Sequence, residues 1–261
     1  MPEGDTVWRA CKRLDQALHG QELTRTDFRV PSLATTDLGG QTVLEVVARG
    51  KHLMMRLSGG VTIHSHLRME GSWHLYRPGE RWKGGPDHQV RVVLETAAWT
   101  AVGYRLPVLE LVATDAEETV VGHLGPDLLS ADFDRPVALA NLAAQPSRTI
   151  SEALLDQRNL AGIGNLYRTE VCFLLGLHPW RPVSSVDLGA AVDLSRRMLK
   201  ANLPHAAQVT TGVDRPGQRT WVFERPGKPC RRCGTTILTA PIGEPPRDRV
   251  SYWCPTCQPE S

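Results

Sequence analysis

The chain contains 261 residues, of which 41% are apolar and 22% are charged, and its net charge is +2. This composition is typical of a globular protein with a buried core and excludes a disordered or collagen-like chain. No run approaches the roughly 18 apolar residues of a membrane span, and no basic start precedes an apolar stretch as in a signal peptide. We therefore expect a cytoplasmic protein with no membrane partner.

The charges are segregated along the chain. Residues 49–91 hold eight Lys or Arg, three acids and five of the nine histidines, and residues 196–261 hold eleven Lys or Arg and five acids. Residues 108–134, in contrast, hold seven acids and no Lys or Arg. Two basic blocks favour a polyanionic partner, and an evenly mixed solvated surface is the alternative.

The first predicted element is an amphipathic helix over residues 5–20. Asp5 or Thr6 is the predicted N-cap, and Gly20 is the predicted stop. The apolar residues that share one face of this helix are Val7, Cys11, Leu14 and Leu18.

The remaining predicted elements are strands in the first half and helices in the second. Residues 42–76 and 88–114 alternate between apolar and polar positions in short pieces, which predicts antiparallel strands of a small sandwich or barrel. Proline and small residues gather in 132–146, which predicts a linker. The segment QRNLAGIGN at 157–165 is too glycine-rich for a helix interior and must turn sharply. Helices are predicted around it, over residues 150–156, 165–176 and 187–203.

Four of the six cysteines form two CxxC pairs in the last 32 residues, at Cys230, Cys233, Cys254 and Cys257. The 20 residues between the pairs let four thiolates converge on one tetrahedral ion, which predicts one structural Zn²⁺. Four ligands fill the shell, so this metal stabilises a small β-hairpin, formed by 235–242 and 249–253, and does no chemistry. Unliganded or redox-active cysteines are the alternative. The other two cysteines, Cys11 and Cys172, lie on apolar helix faces and are predicted to pack there.

Six separated motifs carry a resemblance to a known family. They are PEGDT at 2–6, ARGKHL at 48–53, HLRMEGSW at 66–73, HLGPDLL at 123–129, LLDQRNLAGIGNLYRTEV at 154–171 and GKPCRRCG with YWCPTCQ between 227 and 258. In this order they resemble the formamidopyrimidine-DNA glycosylase and endonuclease VIII family of base-excision repair enzymes, and the endonuclease VIII type most closely.

The resemblance implies an α+β fold with three parts. These are an N-terminal helix with a β sandwich, a helix-two-turns-helix domain and a C-terminal zinc-finger β-hairpin. The expected domains are 1–133 for the catalytic helix and sandwich, 147–212 for the helix-two-turns-helix domain and 213–261 for the zinc finger, with a linker over 134–146. The implied partner is DNA that contains damaged bases or abasic sites. In the family this DNA lies across the cleft between the two halves of the protein. We expect the protein to be a monomer.

The implied activity is that of a bifunctional DNA glycosylase and abasic-site lyase that removes oxidised bases, mainly pyrimidines. Once Met1 is removed, Pro2 exposes a secondary amine whose intrinsic pKa is near 8, so part of it is neutral at physiological pH. Attack on the sugar C1′ then expels the base and leaves an iminium, which acidifies the C2′ proton and permits elimination of the 3′ phosphate. Glu3 resembles the family's acid-base carboxylate.

Other site residues follow from the same resemblance. Lys51 protonates the sugar or contacts the phosphate beside the lesion, and Arg249 in the finger clamps the phosphates that flank it and stabilises charge in the elimination. Asn165, at the glycine-rich turn, contacts a phosphate of the DNA backbone, and Arg168 joins it. Glu170 is expected to secure this turn through a local hydrogen bond.

The loop that fills the void left by a flipped base is expected at Arg68 and Met69, with Met69 as the wedge. Glu70 departs from the endonuclease VIII type, which usually has an aromatic residue there. Tyr104 and Arg105, on a later loop, do not form the wedge motif of the formamidopyrimidine type either. How the void is filled therefore stays open.

Two alternative functions also stay open. One is an oxidised-purine or formamidopyrimidine glycosylase, and the other is a non-catalytic zinc-finger DNA-binding protein, which retention of Met1 would favour.

Overall fold

The computed structural model of the protein describes residues 2–245 and 248–260. The chain divides into two compact units, of which the first ends at His123 and the second begins at Leu124. Within the described residues, no helix combines the length and the apolar character that crossing a membrane requires.

The first unit starts with helix α1, Gly4–Leu18. The predicted apolar face is confirmed, since Val7, Cys11, Leu14 and Leu18 are all buried. The predicted cap is wrong, because the helix begins before Asp5 and Thr6 and places both in its first turn. There they accept hydrogen bonds from the guanidinium of Arg9 at 2.9 and 3.3 Å.

A sandwich of two four-stranded antiparallel sheets makes up most of this unit, and its presence is confirmed. One sheet has the order β1-β6-β7-β5 and the other the order β2-β3-β4-β8. Both sheets and α1 contribute to one apolar core. The strands are β1 Arg25–Phe28, β2 Val43–Arg49, β3 His52–Leu57, β4 Val61–His66, β5 Ser72–Tyr76, β6 Val90–Glu95, β7 Thr100–Tyr104 and β8 Val108–Ala113. A short helix α2, Glu118–Val121, follows.

The second unit consists of four α-helices followed in sequence by a β-hairpin, among the residues that the structure describes. Its helices are α3 Arg135–Ala143, α4 Ile150–Leu155, α5 Asn165–Leu174 and α6 Leu188–Ala201. The last three match the predicted helices to within a few residues. Helix α3 corrects the prediction of a linker, because residues 135–143 of the segment 132–146 are helical. Pro136 stands in the first turn, where proline is tolerated, and Asp134 caps the helix by accepting the backbone N–H of Val137 at 3.0 Å.

The chain ends in the predicted antiparallel hairpin, formed by β9 Leu238–Ile242 and β10 Arg249–Trp253. Residues 246 and 247 at its tip lie outside the described residues. Ile237 and two of the CxxC cysteines pack with Phe173 of α5 in a small apolar cluster. The hairpin is thus anchored on the helical part of its own unit.

Candidate active site

The start of α1 places Pro2 and Glu3 at a helix N-terminus. Glu3 occupies the N-cap position, and its carbonyl accepts the backbone N–H groups of Thr6 and Val7, both at 3.0 Å. Pro2 is partly exposed, whereas Glu3 is fully buried. The partial positive charge of this helix end favours an anion nearby. Met1 lies outside the described residues, so its removal stays a prediction.

Helix α1 and strand β2 lie side by side and run in opposite directions. Asp15 accepts the backbone N–H of Val46 at 2.8 Å, and the N–H of Gly20 binds the carbonyl of Val43 at 2.8 Å. The N-terminus of α1 therefore points toward the end of β2. The first unit thus brings Pro2, Glu3 and the turn after β2 to one end.

Lys51 lies at the tip of the two-residue turn between β2 and β3. Arg49 and His52 are the last paired residues of the two strands. Gly50 has a φ of +59°, which the first central residue of a type II′ hairpin requires and which glycine adopts without strain. The turn therefore fixes the backbone of Lys51 and leaves its side chain half-exposed.

A histidine cluster surrounds this turn and was missed as a unit at the sequence level. His52 hydrogen-bonds His64 (Nδ1 to Nε2, 2.8 Å), and the ring of His66 meets that of His52 edge-on at 4.9 Å. His123 lies 6.1 Å from His52 between ring centroids. The spacing of His64 and His66, which places both on one face of a strand, is the signal that could have identified the cluster.

Two members of the cluster, His52 and His66, are uncharged at neutral pH. Burial, together with the neighbouring His66, His64 and His123, lowers the pKa of His52 to about 3. Burial and the positive charges of Arg68 and Lys51 lower the pKa of His66 to about 4. The positive charge beside these two rings therefore comes from Lys51 and Arg68 rather than from His52 or His66.

The loop between β4 and β5 carries Arg68, Met69 and Glu70. Arg68 adopts a φ of +49°, and the side chain of Met69 is 64% exposed. Arg105 braces the loop by donating from Nε to the carbonyl of Glu70 at 3.1 Å. Tyr104, in contrast, is fully buried and is not available as a wedge. Met69 is thus the apolar side chain that this loop exposes.

Asn165 and Arg168 lie on the first turn of α5, next to strand β10. The amide of Asn165 donates to the carbonyl of Val250 at 3.0 Å. Arg168 has 0% exposure, and its guanidinium binds the hydroxyls of Ser151 and Ser251 and the side-chain oxygen of Asn165. The predicted phosphate contact of Arg168 is not supported, because a guanidinium enclosed by protein oxygens does not reach solvent. It instead joins the glycine-rich turn to the hairpin.

Glu170 has a structural role, as expected, but its hydrogen bonds are not local. Its carboxylate accepts the backbone N–H groups of Trp221, Val222 and Phe223 at 2.7 to 2.9 Å and the hydroxyl of Thr210. The carboxylate therefore secures the segment that leads into the cysteine hairpin.

Arg249 opens β10 and is exposed. Its Nη1 donates to the carbonyl of Asp248 at 2.7 Å, and its strand partner is Ile242. Two residues further along the same strand, Ser251 is fully buried against Arg168. The described part of the hairpin thus presents Arg249, while the network beneath it holds the strand.

The four hairpin cysteines converge, with all sulfurs within 4.8 Å of one another. The measured Sγ–Sγ distances include 3.4 Å between Cys233 and Cys254 and 3.9 Å between Cys230 and Cys257. Four sulfurs about 2.3 Å from a tetrahedral zinc lie about 3.8 Å apart, so the donor set fits such an ion. Cys11 and Cys172 are buried on helices α1 and α5, as predicted.

Two family models match adjoining parts of the chain. The model of the formamidopyrimidine-DNA glycosylase N-terminal domain matches residues 1–125. The model of the formamidopyrimidine-DNA glycosylase H2TH domain matches residues 124–212. The two models follow the division into units seen in the structure.

Relatives align over the full length of the chain. A probable endonuclease 8 2 of Streptomyces coelicolor is 56% identical over 99% of this chain and 94% of its own length. The DNA-(apurinic or apyrimidinic site) lyase Nei2 of Mycolicibacterium smegmatis is 48% identical over all of both chains. An endonuclease 8 of Escherichia coli is 33% identical over 99% of this chain and 100% of its own.

Solved structures share the fold at low sequence identity. The Lactococcus lactis Fpg in complex with DNA containing an abasic site has a TM-score of 0.81 at 22% identity, over 99% of this chain and all of that chain. A second complex of this enzyme, with DNA containing an oxidized pyrimidine, has a TM-score of 0.80. With both family models and these relatives in agreement, the chain belongs to the formamidopyrimidine-DNA glycosylase and endonuclease VIII family, whose members are DNA glycosylases with abasic-site lyase activity.

Proposed function

We propose that the protein is a bifunctional DNA glycosylase and abasic-site lyase of base-excision repair, and that oxidised pyrimidines are its main lesions. The observation that carries this proposal is the full-length similarity to endonuclease 8 relatives, at up to 56% identity among those compared. The preference for pyrimidines rests on the closer resemblance to the endonuclease VIII type.

The proposed nucleophile is the secondary amine of Pro2 after loss of Met1. The amine attacks C1′ of the lesion nucleotide, and the C1′–base bond breaks with a proton going to the departing base. The bound nitrogen then loses its proton, and the C1′–O4′ bond opens with a proton going to O4′. Because the amine is secondary, the resulting adduct is a cationic iminium. Loss of the C2′ proton then expels the 3′ phosphate, and hydrolysis returns the free amine. The position of Pro2 at a positive helix end suits a reaction beside phosphates.

Glu3 and Lys51 are the proposed partners of Pro2. The buried carboxylate of Glu3, next in the chain, serves as the acid-base group for ring opening and proton transfer. Lys51, presented by a tight turn at the same end of the unit, protonates the sugar or binds the phosphate beside the lesion. The first unit therefore supplies all the covalent chemistry.

DNA is the proposed partner. We propose that the protein binds it as a monomer, in the cytoplasm of a bacterium. Asn165 and Arg249 contact the phosphates, while Arg68 and Met69 enter the space left by the flipped base. Arg168 acts indirectly by holding Asn165 and β10. We assign the four-cysteine site to one structural Zn²⁺, because its ligands are all thiolates and close a tetrahedral shell. The proposed domains keep the expected bounds, 1–133, 147–212 and 213–261.

A borohydride trapping experiment tests the nucleophile. Protein lacking Met1, verified by mass, is incubated with an oligonucleotide that carries an abasic site, and the reductant is then added. We expect a covalent adduct with the wild type and none with Pro2→Ala. The proposal fails if the wild type forms no adduct, and Pro2 is the wrong nucleophile if the Pro2→Ala variant forms as much.

Lesion preference is tested separately with duplexes that carry one oxidised pyrimidine, one oxidised purine or one formamidopyrimidine. We expect the oxidised pyrimidine to be excised fastest. Faster excision of either purine lesion would favour the formamidopyrimidine type. DNA binding without any excision would favour a non-catalytic binding protein.

A further inference from the structure

Three charged or titratable side chains form a row across the sheet that carries Lys51. His52 begins β3, His64 lies in β4 and Glu110 lies in β8. His64 is paired with Glu110 in the strand register, and His52 is paired with His66, so side-chain alternation places all of them on one face. The proposed reaction assigns no role to His52, His64 or Glu110.

The row is a continuous hydrogen-bonded chain. Nδ1 of His64 lies 2.7 Å from a carboxylate oxygen of Glu110, and Nε2 of His64 lies 2.8 Å from Nδ1 of His52. An ionised carboxylate only accepts, so His64 donates from Nδ1. In the neutral ring, Nε2 of His64 then accepts, and His52 must donate from its own Nδ1. The chain therefore specifies the tautomer of both histidines and leaves the lone pair of His52 on Nε2.

The hydrogen-bonded row supports two segments that contact DNA in the proposed function. His52 closes the turn that carries Lys51 and directly follows it in sequence. The ring of His66 packs edge-on against His52, and Nδ1 of His66 accepts the backbone N–H of Arg68 at 2.9 Å. The ring of His52 thus contacts the last residue before the Arg68 and Met69 loop. An anchored ring at position 52 restrains both segments at once.

We propose that Glu110, His64 and His52 are positioning residues whose hydrogen-bonded chain fixes the ring of His52 and, through it, the Lys51 turn and the start of the Arg68 and Met69 loop. This inference rests on the proposed function of Lys51 and of that loop. The inference explains why His64 is buried and hydrogen-bonded at both ring nitrogens, with one partner from each neighbouring strand.

The kinetic test compares variants that remove the hydrogen bonds between Glu110, His64 and His52 with variants that keep them. His64→Leu and Glu110→Leu remove the hydrogen bonds, whereas His64→Gln and Glu110→Gln keep an amide that donates or accepts at the same places. We expect the two leucine variants to cleave abasic-site DNA on the order of tenfold more slowly in single turnovers, with DNA affinity within about twofold of wild type. The glutamine variants retain most of the rate.

The matched control is His19→Gln, because His19 also faces a carboxylate, that of Asp15, but at the far end of α1. We expect this variant to match the wild type. Melting temperatures of all variants identify those that fail to fold. If His64→Leu unfolds, Glu110→Leu decides the test, since the Glu110 side chain is half-exposed. Wild-type rates in a folded leucine variant, or equal losses in the leucine and glutamine variants, overturn the proposal.

A spectroscopic readout separates this inference from the proposed function. Side-chain ¹⁵N spectra at about pH 8 report which nitrogen of each neutral histidine carries the proton. We expect His52 and His64 to be protonated on Nδ1, and Glu110→Leu to release this preference. Protonation of both on Nε2 overturns the inference even if the enzyme is active. A wild type that forms no covalent adduct but shows the expected tautomers rejects the proposed function alone.

Discussion

Arg168 and Arg249 occupy opposite environments, although their sequence motifs assign both to the DNA backbone. The guanidinium of Arg168 is enclosed by serine and asparagine oxygens, whereas Arg249 is exposed at the start of β10. Only an exposed cation releases counterions when it binds a phosphate. The two residues should therefore affect DNA binding in different ways.

We predict that Arg249→Ala lowers the slope of log affinity against log salt by about 0.9, the value of one phosphate contact. Arg168→Met should weaken binding without changing this slope. It should also lower the free energy of unfolding by about 2 to 4 kcal/mol, because it strands buried hydrogen-bonding groups. Salt titrations of DNA binding and urea unfolding measure these effects, with Arg197→Met as the exposed control. A slope that falls equally in both variants would show that Arg168 reaches phosphate.

At the scale of single elements, strands β3 and β4 make the stability of the first unit depend on pH. In the folded chain the pKa values of His52 and His66 lie at about 3 and 4, below their ordinary value of 6.5. Between these values the unfolded chain binds more protons than the folded one, so the free energy of unfolding rises with pH. This stability is fully present above about pH 6.5 and is lost as the pH falls toward 4.

We therefore expect the free energy of unfolding to decrease from pH 7 to about pH 5, and to decrease less in His52→Gln. Glutamine does not titrate and can still donate to His64. The groups that face His52 are His64, His66, His123, Arg68 and the adjacent Lys51. Urea unfolding at several pH values measures the effect, and His19→Gln is the control. An unchanged pH dependence in His52→Gln would mean that its ring does not titrate as described.

The loop between β4 and β5 depends on a glycine. A Cβ at Gly71 would lie 2.6 Å from the carbonyl oxygen of Leu67 and 2.9 Å from its Cα, and both are backbone atoms. The same carbonyl accepts the N–H of Gly71 at 2.8 Å, which closes the loop around Met69. Any larger residue must open this bond.

We predict that Gly71→Ala lowers the free energy of unfolding by about 1 to 3 kcal/mol and slows base excision, because Met69 moves with the loop. Gly39→Ala is the control, since its Cβ would approach only the side chain of Asp37, at 3.2 Å. Urea unfolding and single-turnover excision provide the measurements. Wild-type stability together with wild-type excision would contradict the role of this close approach.

At the scale of the whole molecule, the proposed zinc site in the cysteine hairpin would make DNA binding depend on metal content. Strand β10 carries both Arg249 and, two residues further on, Ser251, a partner of Arg168. Loss of the ion would leave four clustered thiols and remove the constraint that holds both CxxC turns. The effect should therefore reach helix α5 through Arg168 and Asn165.

We expect the purified protein to contain one zinc by native mass spectrometry. Its removal by a chelator should weaken DNA binding by about tenfold or more, because the finger's phosphate contacts are lost. Cys254→Ser should behave like the chelated protein, and Cys11→Ala should keep its zinc. Full DNA affinity in a metal-free protein would contradict this link.

How far the sequence predicts this molecule depends on the range of the interactions. The apolar face of α1, the extent of α6 and the hairpin of β9 and β10 follow from local patterns, and the structure confirms them. The environment of Arg168 could not be predicted, because its partners Ser151 and Ser251 come from distant segments. The histidine row likewise depends on a register across three strands. Helix α3 was missed for a local reason, since Pro136 reads as a linker residue unless Asp134 is recognised as its cap.

The bond between Arg168 and Ser251 also bears on how the chain is made. Ser251 follows Arg168 by 83 residues in the chain, so α5 leaves the ribosome before this partner exists. The first unit, which ends at His123, can fold while the second is still being synthesised. The guanidinium of Arg168, by contrast, stays in water until the segment that contains Ser251 has been synthesised. A polypeptide released early by a truncating mutation would therefore hold a sound first unit and a second one with a charge that it cannot bury.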